Sequence, residues 1–132
     1  MNVFLERVLN VFLTPPIVNL RIQGVPVDCL LDTGSPVTIL NPAVDRTSGT
    51  DFLIRRCENP RTSQVVIHSF VGHTPTDALV DFDISFQRER VRANGFTFAK
   101  HVPNFPRIVL GHETLVDALG GMIKMINNQN GQ

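Results

Sequence analysis

Cys29-Leu30-Leu31-Asp32-Thr33-Gly34-Ser35-Pro36-Val37-Thr38-Ile39-Leu40 is the stretch on which the reading of this chain turns. An apolar run delivers one acid into a Thr-Gly-Ser turn, and a second run rich in β-branched residues leads away. Burying a carboxylate is costly unless partners compensate, so an Asp at the end of such a run is either hydrogen-bonded scaffolding or chemistry. Gly34 permits a tight bend with the backbone close to the acid. Thr33 and Ser35 supply hydroxyls able to satisfy it.

The parts on either side read mainly as short strands. Ile17 to Ile22 alternates, Gln23-Gly24-Val25-Pro26 makes a turn, and Val27 to Leu31 returns to Asp32. Val37 to Leu40 is a third strand and Asn41 to Thr50 a polar loop. Asp51 to Arg56 reads as a strand, Cys57 to Ser63 as turn-rich, and Gln64 to Val71 as a β-branched strand before a loop at Gly72 to Thr76. From Ala78 to Phe86, Val80, Phe82, Ile84 and Phe86 alternate with Leu79, Asp81, Asp83 and Ser85, a half-buried strand. Gln87 to Arg92 suits an exposed hairpin end, Phe96 to Ala99 a strand, and Pro103 to Pro106 a turn. Arg107-Ile108-Val109-Leu110-Gly111 is an apolar strand closing on glycine. Glu113 to Leu119 is the best helix, with an early acid and Gly120-Gly121 as its stop. Met122 to Ile126 reads as a last strand, and Met1 to Leu13 as a short amphipathic helix or docking strand ended by Thr14-Pro15-Pro16. Short strands, regular turns and one late helix imply an all-β, barrel-like domain.

Bulk composition narrows the classes. At 132 residues the chain has room for one core. Twelve basic residues balance twelve acidic ones, so net charge gives no argument for a nucleic-acid or acidic-lipid partner. No apolar run is long enough to span a bilayer, and Met1 to Thr14 makes a poor signal peptide. Two cysteines, Cys29 and Cys57, do not make a disulfide framework, which favours a reducing, intracellular or particle-enclosed setting. Cys29 reads as a small buried residue and Cys57 as a loop thiol. His68, His73, His101 and His112 show no helical metal-ligand spacing and no Cys-x-x-Cys accompanies them, so surface roles are expected and no metal or cofactor is implied. Arg88, Arg90 and Arg92 read as a solvated edge.

The order of parts resembles the retropepsins, the single-domain aspartic proteases of retroviruses and LTR retrotransposons. The resemblance runs from Pro15 to Ile126. It rests on Leu30-Leu31-Asp32-Thr33-Gly34-Ser35 and on Ile108-Val109-Leu110-Gly111 with the helix that follows. It implies a closed barrel-like body with one short C-terminal helix, active as a C2 homodimer, in which those two segments cross behind the catalytic acid. Residues 1–14 would be an N-terminal extension, 15–126 the protease domain and 127–132 a flexible tail.

By the same resemblance Asp32, with Thr33 and Gly34, forms the catalytic loop. Thr33 would bond across the dimer. Gly34, Ser35 and Pro36 would meet substrate, with the Ser35 hydroxyl near the carboxylates. Met122 to Ile126 would build the intersubunit sheet. The mid-chain hairpin would be the flap, its tip at Cys57 to Ser63 or alternatively at Phe70-Val71-Gly72-His73. Pro36 and His112 stand where many viral members carry a paired Asp and Arg, which implies a differently built dimer contact.

Peptide hydrolysis by two carboxyls needs two Asp-Thr-Gly loops, and this chain has one. The implied activity is therefore that of a dimeric aspartic endopeptidase cutting an extended peptide within a retroviral or retrotransposon polyprotein, in a virus-like particle or the host cytoplasm. The alternatives are a catalytically silent retropepsin-like dimerisation or peptide-binding module, and a monomeric β-barrel in which Asp32 is structural.

Overall fold

A computed structural model of the chain describes residues 17–43, 52–118 and 120. The helix or strand expected before Pro15, most of the polar loop before Asp51, and the strand expected at Met122 to Ile126 lie outside the described residues. No helix among the described residues is long and apolar enough to cross a membrane.

Among the described residues eight strands appear in order: β1 (Ile17–Ile22), β2 (Val25–Leu31), β3 (Ile39–Leu40), β4 (Glu58–Thr62), β5 (Val66–Ser69), β6 (Gly72–Phe86), β7 (Glu89–Phe98) and β8 (Ile108–Leu110). Six of them close a barrel in the order β1-β2-β8-β3-β7-β6 and back to β1. Closure removes the unpaired edges that an open sheet would expose. Gln23 and Gly24 both take positive φ, 52° and 78°, the two-residue turn whose twist matches an antiparallel hairpin. β2 therefore begins at Val25, two residues before the expected strand, and Ile17 pairs with Leu30.

β6 ties the barrel together. It pairs along Thr76 to Phe86 with β7, and in turn with β5 at Gly72–Pro75, with β4 at Ala78–Asp81 and with β1 at Ile84–Ser85. Its alternation is as the sequence implied. Val80, Phe82 and Ile84 are buried, while Asp81 and Asp83 face outward to Arg61 and Arg92. The Arg61 guanidinium, helped by the Asn59 amide, holds the Asp81 carboxyl below the usual carboxylate range. The main core gathers Leu20, Ile22, Cys29, Leu31, Leu40, Leu53, Phe82, Ile108, Leu110 and Leu115. Burial, with the neighbouring Asp28, pushes the Cys29 thiol up to about 12.

Several expected elements are built differently. Phe52–Arg56, expected as a strand, is a short helix, α1. A brief apolar run cannot distinguish the two by period. The helical form drops Leu53 into the core and leaves Arg55 and Arg56 at the end where the helix dipole favours cations. Cys57 to Ser63 is not a hairpin tip. It forms β4, an exposed edge strand that tolerates Pro60 and takes up Asn59, at a φ of 52°, through a break in register. Gly72 to Thr76, expected as a loop, is the start of β6. The late helix is present, but Thr114–Ala118 is wound as a π-helical turn that buries Thr114 and Leu115.

The central crossing fixes the barrel. β8 lies between β2 and β3, parallel to the first and antiparallel to the second. Gly111 then passes so close to the outgoing chain that a Cβ there would lie 2.2 Å from the Val37 carbonyl oxygen and 2.8 Å from that of Ser35. The buried Thr38 hydroxyl accepts the Gly111 N–H at 3.0 Å and bonds the Thr114 hydroxyl. Gly111→Ala is expected to cost about 3 kcal/mol or more, the upper range for overpacking, because the obstacle is backbone. Urea unfolding measures it, and a loss within 0.5 kcal/mol of zero, roughly the range of neutral surface changes, would show that the crossing is looser than described.

Candidate active site

β2 carries Asp32 out of the core, and the parallel pairing with β8 continues one step beyond the strands: the Asp32 N–H donates to the Leu110 carbonyl at 3.0 Å. The chain then turns. The Ser35 N–H donates to the Asp32 carbonyl at 3.1 Å, and the Gly34 N–H donates to Asp32 Oδ1 at 2.9 Å. On the far side the His112 N–H donates to the Ser35 carbonyl at 2.7 Å. The Asp-Thr-Gly-Ser loop is thus fixed at both ends to the segment around Gly111. Asp32 is half-buried, with one carboxylate oxygen engaged by backbone.

The other residues singled out in this loop are placed as follows. Gly34 and Pro36 are exposed beside the acid, and Asp32, Gly34, Ser35 and Pro36 all line one cleft. The Ser35 hydroxyl does not turn to the carboxylate as expected; it donates to the Val37 carbonyl at 2.7 Å and closes the turn. The Thr33 hydroxyl makes no hydrogen bond among the described residues and does not line the cleft.

The cleft has a volume of about 510 Å³. Its floor is Asp32 with Leu30, Val37, Ile39 and Val109; its cover is Val65 to Phe70; its side is Phe105 and Pro106. The cover is the β5–β6 hairpin, so the second of the two expected flap positions is the one that overhangs Asp32. Gly72, at a φ of 114°, lets Phe70 and Val71 turn without entering the left-handed region themselves. The hairpin is anchored at a hydrogen-bonded base, where Thr76 donates through both its N–H and its hydroxyl to the Val65 carbonyl and bonds the Ser63 hydroxyl. Ile67 rests on a small cluster of Ile39, Phe98 and Val109.

Two features of the site escaped the sequence reading. Asn41, 1% exposed, holds the cleft's side wall: its side chain donates to the Val102 and Phe105 carbonyls and accepts the Val102 N–H. A polar residue ending an apolar strand was the signal, and it read simply as the start of a loop. The second is an aromatic contact. Phe70, 79% exposed at the hairpin tip, stacks on Phe105 with ring centroids 6.0 Å apart, and Phe105 meets Phe98 edge-on at 5.0 Å. Only the folded hairpin brings Phe70 to a residue so distant in sequence.

The fold that this geometry defines is retropepsin-like. The chain is similar in structure to the EIAV protease complexed with the inhibitor HBY-793, with a TM-score of 0.60 and 20% identity over 83% of this chain and 91% of that one. It is also similar to the retroviral protease-like domain of Ddi1 from Leishmania major, with a TM-score of 0.54 and 16% identity over 80% of this chain and 78% of that one. No family model and no curated sequence matches the chain.

The chain contains no tryptophan, so Phe70→Trp reports the tip without background. Adding Phe105→Ala is expected to shift the Trp emission to the red and to increase its quenching by acrylamide, since stacked aromatic pairs contribute about 0.5–1.5 kcal/mol. An unchanged spectrum would mean that the tip does not rest on Phe105 in solution.

Proposed function

We propose that the chain is an aspartic endopeptidase that works as a symmetric homodimer. The observation that carries this is the position of Asp32: one carboxylate, fixed by backbone at the floor of a cleft under the β5–β6 hairpin. A single carboxylate is half of the required machinery. Two carboxyls brought close together cannot both ionise cheaply, so the pair shares one proton. The ionised member takes a proton from water as the oxygen attacks the scissile carbonyl. The protonated member donates to the carbonyl oxygen. Collapse of the tetrahedral intermediate then delivers a proton to the amine that leaves.

The second carboxyl comes from the same aspartate of a second copy across a two-fold axis. Thr33, whose hydroxyl is uncommitted within the described residues, bonds across that axis. Gly34 and Pro36, exposed beside the acid, meet the substrate backbone, and Ser35 keeps the turn in shape. An extended peptide lies as an added strand between the loop and the β5–β6 flap, in line with the apolar cleft walls. The protease domain spans 15–126, and its substrates are segments of the retroviral or retrotransposon polyprotein that carries it, in a particle or the cytoplasm.

The test is cleavage of a peptide pool against protein concentration. Activity is expected to rise faster than linearly while the dimer forms, and Asp32→Asn is expected to lower it by about 10²–10⁴-fold, the usual worth of acid–base catalysis. Activity that survives Asp32→Asn overturns the assignment. A dimer without cleavage at any concentration favours a silent peptide-binding module.

A further inference from the structure

The flap carries two of the chain's four histidines, and its register sets them directly opposite one another. His68 on β5 pairs with His73 on β6, next to the Ser69–Gly72 pair that closes the Phe70–Val71 turn. Their rings touch, with centroids 4.2 Å apart and planes at 72°. Both side chains are exposed, and neither ring has a hydrogen-bond partner among the described residues. The sequence gives five-residue spacing, which fits no helical ligand pair; a tight hairpin converts that spacing into contact.

We propose that His68 and His73 form a two-imidazole site for a late first-row divalent cation on the flap. Two nitrogens on one tetrahedral Zn²⁺ at 2.0–2.1 Å each lie roughly 3.3 Å apart. Rings already in contact reach that separation by side-chain rotation, with the backbone unmoved. The donor chemistry sets the ion class. From Val66 to Pro75 there is no carboxylate, so nothing favours Mg²⁺ or Ca²⁺, whereas imidazole suits Zn²⁺, Ni²⁺ and Cu²⁺. Water fills the remaining positions. The bound ion ties β5 to β6 beside the tip, so it stiffens the hairpin that covers Asp32. That consequence rests on the flap reading above; the binding itself does not.

The experiment is a Zn²⁺ titration of the whole chain, followed by NMR of the histidine ring protons. His68 and His73 are expected to respond together and saturably, while His101 and His112 stay still. His73→Gln is expected to abolish the His68 response and to weaken binding by more than the roughly 10–100-fold that loss of a supporting contact costs a metal site. The fold is monitored by circular dichroism, and both side chains being exposed, it is expected to persist. A response confined to His101 or His112, a His68 response that survives His73→Gln, or no response in excess Zn²⁺ overturns the proposal. A saturable His68 and His73 response in a chain that cleaves no peptide even without Zn²⁺ would leave this site standing and remove the protease assignment instead.

Discussion

Everything in this structure depends on one close passage of backbone on backbone. Gly111 crosses the chain leaving the Asp32 turn with no room for a side chain, and the contact is with carbonyls rather than with flexible atoms. That passage lets β8 lie between β2 and β3, which closes the barrel. It also gives the Asp32 loop its second anchor, through the His112 N–H and the Ser35 carbonyl. The Thr38 hydroxyl, buried at the crossing, joins the Gly111 N–H to the Thr114 hydroxyl and so ties the late helical turn to the same point. The Asp32 carboxylate sits at the floor of an apolar cleft with one oxygen held by a backbone N–H, so its position is set by main chain rather than by flexible side chains.

The rest of the molecule divides by rigidity. The barrel is filled by fully buried residues from most of its strands, with Leu53 of α1 and Leu115 of the π-helical turn among them. The β5–β6 hairpin leaves the barrel at Thr76 and reaches over the cleft with few buried contacts, its tip resting on Phe105. Elements with little buried apolar contact open at low free-energy cost, which is the property that the proposed activity asks of this cover. Asn41 makes the opposite contribution: three hydrogen bonds from one buried amide hold the wall on which that cover lands.

The legible parts of the sequence were those with strong local chemistry. Asp32-Thr33-Gly34 between apolar runs, the alternation from Val80 to Phe86 and the Ile108-Val109-Leu110-Gly111 strand each stand where they were expected. Failures came where local pattern was ambiguous or the deciding contact was remote. Phe52-Leu53-Ile54 carries no period that separates helix from strand, and the core's need for Leu53 made the choice. Asn59 and Pro60 look like a hairpin tip, yet an edge strand with a break in register accepts both. The Ser35 hydroxyl donates to the turn carbonyl of Val37, a partner that residue type alone does not display. Phe70 on Phe105, and His68 against His73, are products of hairpin register that no linear spacing displays.

The central claim is that one Asp32 per chain makes half a site. Mixing unaltered chain with Asp32→Asn chain, at a concentration where dimers dominate, tests it most directly. If each site takes one aspartate from each copy, activity falls as the square of the unaltered fraction, to about a quarter when equal amounts are mixed and exchange is complete. Activity that falls only in proportion, to about half, would mean that each chain holds a complete site of its own and would contradict the account.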